Sequence, residues 1–341
     1  MAKSEFKNID IQTASKIYSQ LKDDVTKAGI LDRSYLYYFL LTSIVFTGFL
    51  VSSFAIFKIE NYGYLLIACL AFTFFSVQFG GLMHDSGHRA VFSKVKNNDI
   101  LGYFSGFFLG MVFDNWKIRH NAHHANPNHV EDDPDIKIPF IATSRELYLE
   151  KKGIEKWISK YQSYYYYPLG IIVSFSNRLG SFGYFREKRL NQNWWKILIY
   201  AIGIIFLFPL PFLIFDPIKA IFVFLIVHAT SGIYLANCFA PNHKGMPQLK
   251  KGQKLTFLEQ QIITARNITG GIITDTVLVG LNYQIEHHLF PNCPRNKLKL
   301  ISPYVLKICK DLNLPYTSVN LIESNKIIVK ELHKIPRLAE I

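Results

Sequence analysis

The sequence predicts an all-α integral membrane protein, with four transmembrane helices in two hairpins and a cytosolic helical cap. Two observations carry this reading: four apolar stretches are long enough to cross a bilayer, and nearly all basic residues lie outside them. A third gives the cap its content. Seven of the eleven histidines fall into three short clusters, each beside an apolar run.

Crossing the hydrocarbon core takes about 20 apolar residues. Ser34 to Phe57, Tyr62 to Met83, Ile197 to Phe215 and Ala220 to Ala240 meet that requirement. The first two are joined around Lys58, Glu60 and Asn61, and the last two by Asp216-Pro217-Ile218-Lys219, so each pair reads as a helical hairpin. Ile100 to Phe113 is too short to cross and is expected at the interface or re-entering it. Ser144 to Lys160 sets Leu, Tyr, Ile and Trp at helical spacing among charges, which predicts a cytosolic amphipathic helix. Tyr164 to Tyr167, ahead of Pro168, resembles an interfacial aromatic belt. No repeat or linker divides the chain, so residues 1–341 read as one domain with cytosolic segments 1–33, 84–196 and 241–341.

Composition agrees. Half the residues are apolar, with 28 Phe and 19 Tyr, which is too greasy for an ordinary soluble enzyme. The net charge of +13 does not form a compact basic domain, which argues against nucleic-acid binding. Lys58 is the only Lys or Arg between 34 and 83, and Lys219 the only one between 197 and 240. The rest of the 38 basic residues sit in the termini, the middle segment and the span edges, as expected of loops facing anionic lipid. The positive-inside rule then puts both termini and the middle segment in the cytoplasm, and all three histidine clusters on that face. Cys69, Cys238, Cys293 and Cys309 are scattered without a CxxC pair, which fits a reduced environment. The polar N-terminus lacks a signal-peptide apolar core.

The clusters are His84 and His88 in HDSGH, His120, His123 and His124 in HNAHH, and His287 and His288 in QIEHH. Residues three and four apart share a helix face, so each cluster can aim imidazoles at one point. Gln284 stands to His287 and His288 as His120 does to His123 and His124. Seven histidines exceed what one open tetrahedral zinc site needs and suit two metals held by nitrogen. Asp85, Asp132, Asp133, Asp135 and Glu286 lie in or beside the clusters, where a carboxylate can accept the other ring N–H of a metal-bound histidine. His228 reads as a satisfied core residue, His129 as a loop residue and His333 as a solvated tail residue.

These residues resemble the membrane fatty acid desaturases, within the wider membrane desaturase and hydroxylase superfamily. The superfamily's three boxes, HxxxH, HxxHH and HxxHH, are matched by His84 to His88, His120 to His124 and Gln284 to His288. The glutamine opening the third box, followed by Leu289-Phe290-Pro291, resembles the front-end group, which places a new double bond between an existing one and the carboxyl end. The resemblance implies a non-haem centre of two irons, fed by O2 and two electrons, that removes hydrogen from adjacent methylenes of a fatty acyl lipid, acyl-CoA or acyl-carrier-protein substrate. It also implies a further histidine ligand after the fourth span, a place that His243 occupies. Gln284 coordinates directly, acts through water or only positions the site; Asn237 and Asn242 are further candidates to contribute.

Only 33 residues precede the first span, and no HPGG haem motif or GxGxxG fingerprint occurs. The expectation is therefore a separate electron carrier, ferredoxin or cytochrome b5, and a bacterial cytoplasmic membrane. Three rivals remain. A lipid or carotenoid hydroxylase of the same superfamily would share the irons. A membrane zinc hydrolase would lack its general base, since HDSGH has no Glu after the first His. A metal transporter would need ionisable groups at mid-span, where only His228 qualifies.

Overall fold

A computed structural model describes residues 9–187, 194–250, 252–253 and 255–339. The chain forms two compact units, each assembled from separated segments. The apolar unit takes residues 33–119 and 167–237; the histidine-rich unit takes the flanking residues, 120–166 and everything from 238 onward.

In the apolar unit, helices Tyr35–Lys58 and Tyr62–Gly87 form the first expected hairpin. Asn61 starts the second helix by accepting hydrogen bonds from Gly63 N–H (3.0 Å) and Tyr64 N–H (3.3 Å). Phe49, Phe72, Phe79 and Phe108 make the centre of its core, with Phe79 and Phe108 stacked at 4.3 Å. The short stretch expected at Ile100–Phe113 is a helix from Val95 to Leu109, ended by Gly110 in the left-handed region at φ 61°. At Gly106 a Cβ would lie 2.8 Å from the Met111 carbonyl oxygen, so only glycine fits there.

The third expected span differs. Residues 197–215 are divided into helices Trp194–Leu207 and Leu210–Ile214, because Pro209 and Pro211 each lack an N–H and crowd the preceding turn. Among the described residues, Tyr35–Lys58, Tyr62–Gly87 and Pro217–His243 are the helices long and apolar enough to cross a membrane. Asp216 caps the last of these through Ile218 N–H and Lys219 N–H, and buried Lys219 reaches Glu60 at 3.1 Å. His228 is buried as expected, its Nε2–H donated to the Leu207 carbonyl at 3.2 Å. The 26-residue helix Gln162–Glu187 absorbs the tyrosine tract and carries Pro168 inside it. Its buried Arg178 donates to the Leu109 carbonyl, satisfying the end of the Val95–Leu109 helix.

In the histidine-rich unit, helix Ile11–Lys27 buries Leu21 and Val25 in a core with Leu258, Ile262, Ile285, Leu289, Ile301 and Val305. The expected helix at 144–160 is two helices, Arg145–Glu150 and Gly153–Ser159, separated where Gly153 turns at φ 53°. Among the described residues the fold is mostly helical, with a two-stranded parallel ladder of Asn267–Thr269 against Ser318–Asn320. His333 is half-buried with its Nδ1 3.3 Å from Ser163 Oγ, rather than solvated.

Candidate metal centre

Three helical segments that lie in the histidine-rich unit carry this part of the site. Helix Phe113–Ala125 brings His120, His123 and His124; the end of Pro217–His243 brings His243; and Gln284–Leu289 brings Gln284, His287 and His288. The last helix is only six residues long and is held from outside. Asn267 Oδ1 accepts from Ile285 N–H at 2.9 Å, while Ile285 and Leu289 are fully buried in the core.

His123, His243 and His288 are all buried, and one ring nitrogen from each lies within 4.8 Å of the others. The hydrogen bonds fix which nitrogen faces inward. His123 Nδ1 meets Asp133 Oδ2 at 3.0 Å and Oδ1 at 3.1 Å, and His243 Nδ1 meets the Thr264 carbonyl at 3.0 Å. A carboxylate and a carbonyl only accept, so each Nδ1 carries the proton and each Nε2 keeps a lone pair. His288 Nδ1 lies 2.7 Å from Gln261 Oε1. The result places His243 Nε2 and His288 Nε2 3.1 Å apart, two lone pairs facing one another. Only a shared proton or cation makes that arrangement favourable.

His120, His124 and His287 form a second group in the same unit. His124 Nε2 lies 3.1 Å from both His120 Nε2 and His287 Nε2. In the apolar unit, His84 and His88 sit at the end of Tyr62–Gly87 with ring centroids 4.8 Å apart. His84 Nδ1 meets Asp85 Oδ1 at 3.1 Å, and Tyr38 OH donates to Asp85 Oδ2 at 2.7 Å.

The donor set suits a metal. It is nitrogen-rich, and in His123, His243 and His288 the rings are buried with an acceptor behind each Nδ1. An orphaned atom adds to the fit. Gln284 Nε2 is 3.0 Å from His243 Nε2, and its Oε1 accepts from Asn242 Nδ2 at 3.0 Å, leaving the buried Asn242 Oδ1 without a hydrogen-bond partner.

Electrostatics follow the same contacts. Burial alone would lower the His123 pKa, but the hydrogen bond and charge of Asp133, with Asp135 behind it, turn the net direction upward. Burial would raise Asp133, yet His123 and the backbone N–H groups of Asp135 and Asn128 hold it below the usual carboxylate range. Glu286 moves the other way: burial raises it against hydrogen bonds from Tyr316 and Asn267.

A sequence profile described as Fatty acid desaturase matches residues 61–320, which include all three boxes. The chain belongs to the fatty acid desaturase family. It is similar to the Delta(8)-fatty-acid desaturase of Euglena gracilis, at 30% identity over 97% of this chain and 81% of the relative. The Delta(5) fatty acid desaturase fat-4 of Caenorhabditis elegans is 30% identical over 89% of this chain and 70% of its own. The acyl-lipid (9-3)-desaturase of Borago officinalis is 27% identical over 96% and 76%. As a fatty acid desaturase, the protein is an oxidoreductase.

Within this desaturase the acidic neighbours divide. Asp133 and Asp85 each face a histidine Nδ1, and Asp135 lies 3.9 Å from that of His123. Glu286 instead accepts from Tyr316 OH at 2.6 Å and Asn267 Nδ2 at 2.7 Å, so it holds the helix rather than a ring. Asp132 is exposed, and Asn237 donates to the Ile233 carbonyl of its own helix at 2.9 Å. Sequence reasoning missed Gln261, Thr264 and Asn128. Asn128, at φ 57°, donates through Nδ2 to the carbonyls of His243, Pro247 and Thr264, and its N–H reaches Asp133 at 2.8 Å. Reading His129 as a loop residue marked the neighbourhood but not these contacts.

Proposed function

We propose that this desaturase is a front-end enzyme, inserting a double bond between an existing one and the carboxyl end of a fatty acyl chain. The inward convergence of His123, His243 and His288 Nε2 supports the metal centre, and Gln284, the residue that opens the third box, supports the front-end assignment. The names of the Delta(8) and Delta(5) relatives support the front-end assignment.

The centre is read as two irons held by His84, His88, His120, His123, His124, His243, His287 and His288, with Gln284 beside them. The family's motifs, not distances between the two units, assign the first box to it. Iron bound there, with O2 and two electrons, supplies the oxidising power to remove one hydrogen from each of two adjacent methylenes, with water as the other product. The chain's own residues do the rest. Asp133, the Thr264 carbonyl and Asp85 hold ring protons at Nδ1, and burial of His123, His243 and His288 keeps water from their lone pairs. Asp135 adds charge to the Asp133–His123 pair.

The electron carrier in this reading is a ferredoxin or cytochrome b5, and residues 1–341 act as one desaturase domain. The membrane is crossed four times, the divided 194–214 stretch pairing with Pro217–His243, and the basic segments put the active site and termini in the cytosol. The named relatives are eukaryotic and lend no support to a bacterial membrane.

The test is expression in a host fed defined fatty acids, with double bonds located by mass spectrometry. A new bond on the carboxyl side of an existing one is expected. Accumulation of a hydroxy lipid without a new alkene would support the superfamily's hydroxylase chemistry instead.

A further inference from the structure

Gln261 lies in the helix Phe257–Ile263, outside every histidine box, and is 1% exposed. Its amide uses both ends. Oε1 faces His288 Nδ1 at 2.7 Å, and Nε2 donates to the His124 carbonyl at 3.1 Å. The second bond settles the amide's orientation, since a carbonyl can only accept. Oε1 is then the acceptor, His288 Nδ1 carries the proton, and His288 Nε2 presents its lone pair toward His243 Nε2.

We infer that Gln261 is a positioning residue that fixes the His288 tautomer and, through the same amide, ties the third-box helix to the second-box helix. The inference rests on the metal reading above. Its physical content is a graded set of acceptors behind three converging rings: a carboxylate on His123, a backbone carbonyl on His243 and a side-chain amide on His288. Such partners raise ligand basicity and hold ring orientation. The carbonyl behind His243 is fixed by the fold and Asp133 is shared with two backbone N–H groups, so Gln261 is the member whose two ends join separate histidine groups: His288 of the first and His124 of the second.

Gln260, its neighbour, provides an internal control. Its Nε2 donates to the Ala125 carbonyl at 3.1 Å and its Oε1 lies 3.4 Å from His129 Nε2, so it braces the same helix end without touching a ring of the centre. A role confined to bracing would make the two glutamines equivalent.

The experiment uses the full chain purified in detergent, loaded with ferrous iron for affinity and with cobalt(II) for its visible spectrum. Gln261→Leu, which keeps volume and removes the acceptor, is expected to weaken iron binding by about 10–100-fold and to change the cobalt bands. Gln261→Glu restores an acceptor at Nδ1 but loses the donor to the His124 carbonyl, so it is expected to bind iron more tightly than Gln261→Leu and to shift the iron midpoint potential negative. Gln260→Ala is expected to keep the wild-type spectrum. Wild-type affinity and spectrum in Gln261→Leu would overturn the inference, as would equal losses in Gln261→Leu and Gln260→Ala. Should Gln261→Leu fail to fold, the Gln261→Glu spectrum and potential decide, unchanged values counting against the role. Failure of the wild-type chain to bind either metal would instead sink the metal reading itself.

Discussion

The two units of this desaturase are held together by different physics. The apolar unit is built from long hydrophobic helices whose rings interlock, as at Phe49, Phe79 and Phe108, with close approaches at Gly170 and Gly232. The histidine-rich unit has an ordinary small core, but its site is fixed by side-chain hydrogen bonds between residues far apart in sequence. Asn128 alone reaches three carbonyls, from His243 onward. Losing a packing contact in the first unit leaves a cavity that the neighbours partly fill, whereas a buried polar network leaves an unpaired group when any member is removed.

That contrast orders the predictions. The largest effect falls on the ligands: His123→Ala or His288→Ala should abolish desaturation while membrane insertion stays intact, as checked by product analysis beside membrane fractionation. Retained activity in either would break the assignment. Next is Asp133→Ala, which removes the His123 partner and strands the N–H groups of Asn128 and Asp135. Iron affinity should fall about 10–100-fold, read by competition with a chelator.

In the apolar unit, Gly232→Val should destabilise by about 1–3 kcal/mol, because a Cβ there lies 2.5 Å from the Gly170 carbonyl oxygen. Metal affinity measured on the folded fraction should not change. A matching loss of affinity would erase the distinction between the units. Asp10→Ala should cost about 1 kcal/mol, since Asp10 accepts from Gln12 N–H and Thr13 N–H at 3.0 Å each.

The smallest effect is expected at Glu146. Its hydrogen bond from Lys250 outweighs partial burial and lowers its pKa. The stabilisation is therefore present above the unfolded-state carboxylate value and fades as pH falls through the lower folded value. The pair is largely exposed, so Glu146→Gln should change stability by less than about 1 kcal/mol, and less still in high salt.

What was legible in the chain follows the same divide. Hydropathy located Tyr35–Lys58, Tyr62–Gly87 and most of Pro217–His243, because crossing a bilayer is a local property of about 20 residues. It overran at Pro209, where backbone chemistry outweighs composition, and overlooked Gln162–Glu187, whose Asn177 and Arg178 dilute the apolar signal. Histidine spacing marked the candidate ligands because i,i+3 and i,i+4 geometry is also local. Gln261 and Thr264 carry no such signature. They act on rings 27 and 21 residues away, and only the folded backbone brings them there.

The central claim is that the converging histidine nitrogens exist to hold iron. Metal analysis of the purified full chain, expressed with both iron and zinc available, tests it most directly. The account predicts roughly two irons per chain, lost together with the desaturated product in His288→Ala. A single tightly held zinc, with product formation indifferent to iron, would contradict it.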